Sequence, residues 1–154
     1  MKKILFVCLG NICRSPAAEG VMRHLLHEQG MEDEVLVDSA GTIDEHEGQL
    51  PDPRMRAAAS QRGLSLDSRS RPITPKDLEV FDFILTMDDQ NRKDVEKLDA
   101  RPEIREKIIP FVRFLHHSKD TFVPDPYYGG PDGFEKVLDL MEEGCAGILN
   151  HLLR

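Results

Sequence analysis

The sequence predicts an α/β fold: a single-domain three-layer sandwich, with a parallel sheet of about four strands and helices on both faces. Two observations carry this expectation. The near-continuous apolar runs Ile4-Leu5-Phe6-Val7 and Phe83-Ile84-Leu85-Thr86-Met87 are of the kind buried on both faces of a parallel sheet. Around them apolar residues recur at helical spacing, so strands and helices alternate along the chain. No internal repeat, low-complexity tract or interdomain linker interrupts the pattern, and 154 residues suit one domain spanning residues 1–154.

Each element has its own signal. Lys2 to Val7 is the first strand. Ala18, Val21, Met22, Leu25 and Leu26 mark a helix that ends near Gly30. Ser15 is placed to cap this helix, and Pro16 suits its first position, where no N–H is needed. Glu34 to Asp38 forms a second short strand. Asp52-Pro53 opens a helix carrying Met55, Ala58 and Ala59 and stopping at Gly63. Thr74-Pro75 starts a brief helix, Phe83 to Met87 is a buried strand, and Asp88 caps a helix to about Leu98. Lys107 to Val112 contains a fourth strand, whose Pro110 points to an edge or a strand end. Phe134, Val137, Leu138, Met141, Cys145, Ile148, Leu149 and Leu152 then form one apolar stripe, the core face of a last helix.

Composition narrows the function. With 28 acidic and 20 basic side chains the formal charge is −8, which opposes nucleic-acid binding and gives no general attraction for a phosphorylated ligand. An anion site must therefore work by local design. No apolar run approaches the roughly 20 residues of a membrane span, so no membrane insertion is expected. The first strand follows Met1-Lys2-Lys3 at once and is too short for a signal peptide, which points to a cytoplasmic protein. Three cysteines are too few for a disulfide framework and fit a reducing compartment. The histidines His24, His27, His46, His116, His117 and His151 show no metal-ligand spacing, so no metal is expected.

The chemistry gathers in Val7-Cys8-Leu9-Gly10-Asn11-Ile12-Cys13-Arg14-Ser15-Pro16. Cys8 and Arg14 bracket a short loop between a strand and a helix, beyond the carboxyl end of a strand, where ligands bind in doubly wound sheets. Backbone N–H groups of such a loop can wrap a tetrahedral oxyanion above a cysteine sulfur. The start of a helix lowers a thiol pKa, and the fork of an arginine fits two phosphate oxygens at once. An isolated Cys-x5-Arg also arises by chance as a buried cysteine before an ordinary turn. The strand before this loop, its internal Gly and Asn, and the Ser-Pro after it favour phosphate binding and nucleophilic attack.

Attack on a phosphate ester also needs an acid for the leaving oxygen. Asp125, in Val123-Pro124-Asp125-Pro126-Tyr127-Tyr128-Gly129-Gly130, is the candidate. Flanking prolines stiffen the backbone and push Asp125 toward an extended conformation. On local evidence alone the segment reads as a surface turn rich in Pro, Asp and Gly. Its pairing with the cysteine loop makes it a proton donor.

Over essentially its whole length the chain resembles the low-molecular-weight protein tyrosine phosphatase family. Cys-Leu-Gly-Asn-Ile-Cys-Arg-Ser-Pro and Asp-Pro-Tyr-Tyr-Gly match its signatures, and Val-Asp-Ser-Ala-Gly-Thr (37–42), Pro-Asp (51–52) and Met-Asp-x-x-Asn (87–91) match its pattern in order. The resemblance implies hydrolysis of phosphotyrosine and aryl phosphates with Cys8 as nucleophile and a phosphocysteine intermediate. It implies that Arg14 and the N–H groups of residues 9 to 15 hold the equatorial oxygens, and that Asp125 is general acid, then base. Ser15 would hydrogen-bond the sulfur, Asn11 would take a left-handed backbone conformation, Ser39 would brace it, and Asp88 would support the site. No metal or organic cofactor is implied. The implied partners are tyrosine-phosphorylated proteins and a cognate tyrosine kinase.

Cys13 is open to two roles. It is either a small loop residue packed inward or, by the resemblance, the thiol that joins an oxidised Cys8 in a reversible disulfide. Cys145, on the terminal stripe, is expected to be core.

Ile12 bears on substrate choice: the related arginine phosphatases carry threonine there, whereas isoleucine offers an apolar wall to an aromatic ring. Tyr127 and Tyr128 are placed to line the mouth and stack on that ring. The family's usual aromatic in the loop after Ser-Ala-Gly-Thr is replaced by Glu45, either a solvated charge or a rim residue that disfavours acidic peptides. An arsenate reductase on the same scaffold would need a cysteine pair around the 80s, and residues 80–92 contain none. A silent phosphoprotein-binding module would need neither thiolate nor acid.

Overall fold

The computed structural model describes residues 1–154. In chain order its elements are β1 (Lys2–Cys8), α1 (Arg14–Glu28), β2 (Val35–Gly41), α2 (Pro53–Gln61), α3 (Pro75–Val80), β3 (Phe83–Thr86), α4 (Asp89–Glu96), α5 (Pro102–Arg105), β4 (Ile108–Pro110) and α6 (Pro131–Ile148). The strands form one all-parallel sheet in the order β2-β1-β3-β4, the single-domain α/β arrangement the sequence predicts.

β1 lies inside the sheet because it is apolar on both faces, and Ile4, Leu5, Phe6 and Val7 are all fully buried. Strand alternation divides them. Ile4, Phe6 and Cys8 join the larger core with residues of α1, α2 and α6, while Leu5 and Val7 join a smaller one with Leu78, Val95 and Ile104 of α3, α4 and α5. Cys8 thus ends β1 on the face covered by α1 and α6. The chain passes from β1 to β2 on one side and then crosses back over β1 to β3 on the other, so the carboxyl end of β1 opens at the point where strand order reverses.

Several boundaries differ from expectation for definite reasons. β2 continues past Asp38 to Gly41, because pairing with β1 runs on through Phe6↔Ser39, Val7↔Ala40 and Cys8↔Gly41. The polar Asp38 and Ser39 disguised that extension. Ser15 and Pro16 do not open α1. Cys13 is the N-cap residue, Arg14 is the first helical residue, and no side chain caps the end. The Ser15 hydroxyl is committed elsewhere, and the proline ring still falls among the first four positions, whose N–H groups lack helical partners. β3 stops at Thr86 because Asp88 caps α4 by accepting from the Asn91 N–H, and α4 ends at Glu96, short of Leu98. Asp52 caps α2, and Thr74 with Asp77 forms a reciprocal capping box on α3. The short α5 and a 3-10 turn at Phe111–Phe114 carry no periodicity long enough to show in sequence. The terminal stripe covers α6 and a wider π-helical turn, Leu149–Leu153.

At the edge of the sheet, the Arg23 guanidinium of α1 donates to the Val37 carbonyl of β2 at 2.8 Å. No helix is long and apolar enough to cross a membrane.

Candidate active site

The loop from Leu9 to Cys13 has its carbonyls tied outward. Cys8 and Leu9 accept from the N–H groups of Thr42 and Ile43, at 2.9 and 3.1 Å. Gly10 accepts from the Ser70 hydroxyl at 2.9 Å, and Ile12 from the Asp52 N–H at 2.8 Å. None of the N–H groups of residues 9–13 donates to a protein acceptor. Such a ring of uncommitted donors at a helix N-terminus is built for an anion. Gly41 permits this packing, since a Cβ there would come within 2.8 Å of the Leu9 carbonyl oxygen.

Asn11 holds the loop's shape. It is the one non-glycine residue with positive φ, at 56°, a region Asn tolerates. Its side chain is oriented by the Arg71 N–H, which donates to Oδ1 at 3.0 Å. Nδ2 therefore faces inward and donates to Ser15 Oγ at 2.8 Å and Ser39 Oγ at 2.9 Å. The Ser15 hydroxyl lies 3.0 Å from Cys8 Sγ, with the Ala40 carbonyl at 3.5 Å as its other acceptor, so toward a Cys8 thiolate it is the donor. Ser39 in turn donates to Glu19 Oε1 at 2.6 Å. The bonds thus branch from Asn11, one arm reaching Cys8 through Ser15 and the other reaching Glu19 through Ser39.

Glu19 was not foreseen. It is 4% exposed, and burial raises its pKa against the lowering effects of Ser39 and Arg23. Its position four residues after Ser15 put it on the buried face of α1, a signal present in the helical spacing.

Arg14 reaches across the loop mouth. Its Nη1 donates to Asp88 Oδ2 at 2.7 Å and the Val123 carbonyl at 3.1 Å, and Nη2 lies 3.6 Å from Asp125 Oδ2. Burial works to lower its pKa, but the charges of Cys8, Asp88 and Asp125 outweigh it, so the guanidinium stays charged. Asp88 has a double task, capping α4 and aligning Arg14. Asp125 is exposed beside the mouth, with Oδ1 accepting from the Tyr127 N–H at 3.0 Å.

One open cleft joins these groups. Cys8, Arg14 and Asp125 line it with Leu9, Gly10, Ile12, Cys13, Tyr127 and Tyr128, so the residues singled out in sequence converge. Asn11, Ser15, Ser39 and Asp88 stand behind them. Glu45 is exposed and also lines the mouth, as does His46, whose ring packs against Gly10 and faces Tyr127 at 6.3 Å. Burial first, then the charges of Asp52, Cys8 and Asp125, push the Cys13 thiol well above its ordinary pKa. Cys145 is fully buried in the core. His24 and His27 lie exposed on α1, and no group of three or more His, Cys, Asp or Glu side chains is arranged to hold a metal ion.

A parallel α/β sheet whose inner strand ends in a Cys-x5-Arg loop of uncommitted N–H groups, faced by an aspartate, is the arrangement expected of a phosphatase. The family description "Low molecular weight phosphotyrosine protein phosphatase" matches residues 3–154, and the chain belongs to this family. The low molecular weight phosphotyrosine protein phosphatase of Sus scrofa is 36% identical over 148 residues, covering 96% of this chain and 94% of that protein. A protein tyrosine phosphatase from Entamoeba histolytica, solved with Hepes in its active site, superposes with a TM-score of 0.96 at 43% identity, over 99% of this chain and 97% of that one. The Drosophila arginine phosphatase has a TM-score of 0.90 at 34% identity, over 98% and 97%.

Proposed function

We propose that this protein hydrolyses phosphotyrosine in proteins, and aryl phosphate monoesters generally, through a phosphocysteine intermediate. The observation that carries this reading is the convergence of Cys8, Arg14 and Asp125 on one cleft around uncommitted loop N–H groups. In the first step the Cys8 thiolate attacks phosphorus and the P–O bond to the phenol breaks. Asp125, protonated at that stage, donates its proton to the departing oxygen. The transition state is loose, so the loop amides and Arg14 act by positioning and by charge stabilisation. In the second step Asp125, now a carboxylate, takes a proton from water as it attacks phosphorus, and Cys8 leaves as a thiolate stabilised by the Ser15 hydroxyl.

Ile12, Tyr127 and Tyr128 supply apolar walls for a flat ring. Ile12 also argues for an aryl ester over the phosphoguanidine that suits threonine at this place. Tyrosine-phosphorylated proteins in the cytoplasm are the substrates of this reading, and a tyrosine kinase is the partner activity that forms them. Cys13 is the resolving thiol under oxidation.

Turnover of phosphotyrosine, phosphoarginine and phosphoserine peptides by the purified protein is the direct test. The expected order places phosphotyrosine first, with Asp125→Ala losing about 10²–10⁴-fold in turnover while retaining substrate. Preferred turnover of phosphoarginine, or of no substrate at all, would overturn the reading.

A further inference from the structure

We propose that Arg54 is a positioning residue for the reaction proposed above, on which this inference rests: its guanidinium is the shelf that holds Tyr127, and with it the loop bearing Asp125, against the phosphate loop. From Pro124 to Gly130 that loop makes no hydrogen bond to the sheet, to α1 or to α2. Its bonds are Tyr127 N–H to Asp125, Gly129 N–H to the Pro126 carbonyl and, at its end, the Gly130 carbonyl accepting from the Gly133 N–H of α6. The ion pair from Arg14 to Asp125, at 3.6 Å, is its one charged tie to the phosphate loop. Something else must fix where Tyr127 lies.

Arg54 has the geometry to do so. Its Nε and Nη2 grip the Asp52 carboxylate at 3.1 and 2.8 Å, and Asp52 is itself buried with its N–H on the Ile12 carbonyl. The fork from Arg54 holds the Asp52 carboxyl below the usual carboxylate range, so the pair stays charged at neutral pH. Thus anchored, the guanidinium carbon sits 5.3 Å from the centroid of the Tyr127 ring and 4.8 Å from that of Phe134, a buried residue of α6. A cation over an aromatic face is drawn to the ring's negative quadrupole, and a planar guanidinium can serve a carboxylate and two rings together, which an ammonium cannot. The linkage runs without a gap from the Ile12 carbonyl through Asp52 and Arg54 to Tyr127, two residues from Asp125.

The protein carries its own reporter. Its two tyrosines, Tyr127 and Tyr128, both lie on this loop and it has no tryptophan, so tyrosine emission, excited above the phenylalanine absorption band, reports on this loop alone. The experiment measures tyrosine emission, kcat/KM on phenyl phosphate and inhibition by inorganic phosphate for Arg54→Met, Arg54→Lys, Tyr127→Leu and the Arg54→Met/Tyr127→Leu double variant. Arg54→Met is expected to alter tyrosine emission and to lower kcat/KM about three- to tenfold, with phosphate inhibition within about twofold of wild type. Arg54→Lys, which keeps the charge and guards against a misfolded Met variant, is expected to recover part of that loss. In the Tyr127→Leu background Arg54→Met should cost nothing further. Unchanged emission overturns the proposal, as does an equal loss in the Tyr127→Leu background or a matching weakening of phosphate inhibition. A wild type without turnover would defeat the phosphatase reading instead, and emission from Arg54→Met would still decide the shelf.

Discussion

The Ser15 hydroxyl stands 3.0 Å from Cys8 Sγ while its oxygen accepts from Asn11 Nδ2 at 2.8 Å. Because Asn11 is held by the Arg71 N–H, its amide donates to Ser15, and a Cys8 thiolate, nearer than the Ala40 carbonyl at 3.5 Å, is the closer acceptor for the serine proton. Ser15→Ala removes a donor that counts most when sulfur carries full charge, as leaving group of the second step. A hydrogen bond to a charged group contributes roughly 1.5–3 kcal/mol, so hydrolysis of the phosphocysteine should slow about ten- to hundredfold. Stopped-flow release of the phenol should show a burst growing relative to steady-state turnover. A proportional loss in both phases would place the serine's effect in the first step.

Ile12→Thr tests leaving-group choice. The cradle's carbonyl bonds do not involve this side chain, so the loop should hold its shape while one apolar wall gains a hydroxyl. Relative kcat/KM is expected to move toward phosphoarginine peptides by about tenfold, the scale of one hydrogen bond to substrate. An unchanged ratio would show that Ile12 only packs.

Peroxide should inactivate the protein reversibly. Peroxide oxidises Cys8 to the sulfenic acid, and attack by the Cys13 sulfur then forms the disulfide as water leaves. Burial, Asp52, Cys8 and Asp125 keep Cys13 in its thiol form at rest, and loss of the Cys8 charge on oxidation relieves one of these influences. Activity regained with dithiothreitol is expected in the wild type and reduced in Cys13→Ser. Equal recovery of the two rejects a resolving role for Cys13.

Glu19 makes stability depend on pH. Its pKa is raised in the folded protein by burial, so it contributes stability that is complete below the unfolded value and fades as pH rises through the folded one. Glu19→Gln keeps an acceptor for Ser39 and gains no proton in acid. The Tm advantage of the variant over wild type should therefore be larger at pH 7.5 than at pH 5, by calorimetry. A constant difference across that window would sink the assignment.

Glu45 lines the mouth beside Asp125. Phosphotyrosine peptides with basic flanks should have higher kcat/KM than those with acidic flanks, by about two- to fivefold at low salt, and the gap should shrink as salt screens it. Identical values for both would leave Glu45 a solvated charge.

The candidate ring was legible in sequence because it is local: Cys8, Asn11, Arg14 and Ser15 fall within eight residues of chain, and fold logic placed them at a strand end. Tyr127 and Tyr128 were legible because Asp125 is adjacent to them. Glu19 and Arg54 were not, since each acts across elements, one from α1 onto β2 and the other from α2 onto the loop before α6. Ser15 was misread as a cap because Ser-Pro before an apolar run signals a helix start, and the tertiary demand of Cys8 outbid that local preference. The end of β2 was hidden for a related reason, as Ser39 spends its polarity on Asn11 and Glu19 rather than on solvent.

Arg23 has a consequence beyond its pairing with Glu19. β2 is an outermost strand of seven residues, long enough to recruit a strand from a neighbouring molecule, whereas β4 on the opposite border is short and finishes in Pro110. By occupying the Val37 oxygen, the guanidinium denies a foreign backbone one of the acceptors it would need. The side chain that offsets a buried carboxylate thus also fills one bonding position on the exposed border of the sheet.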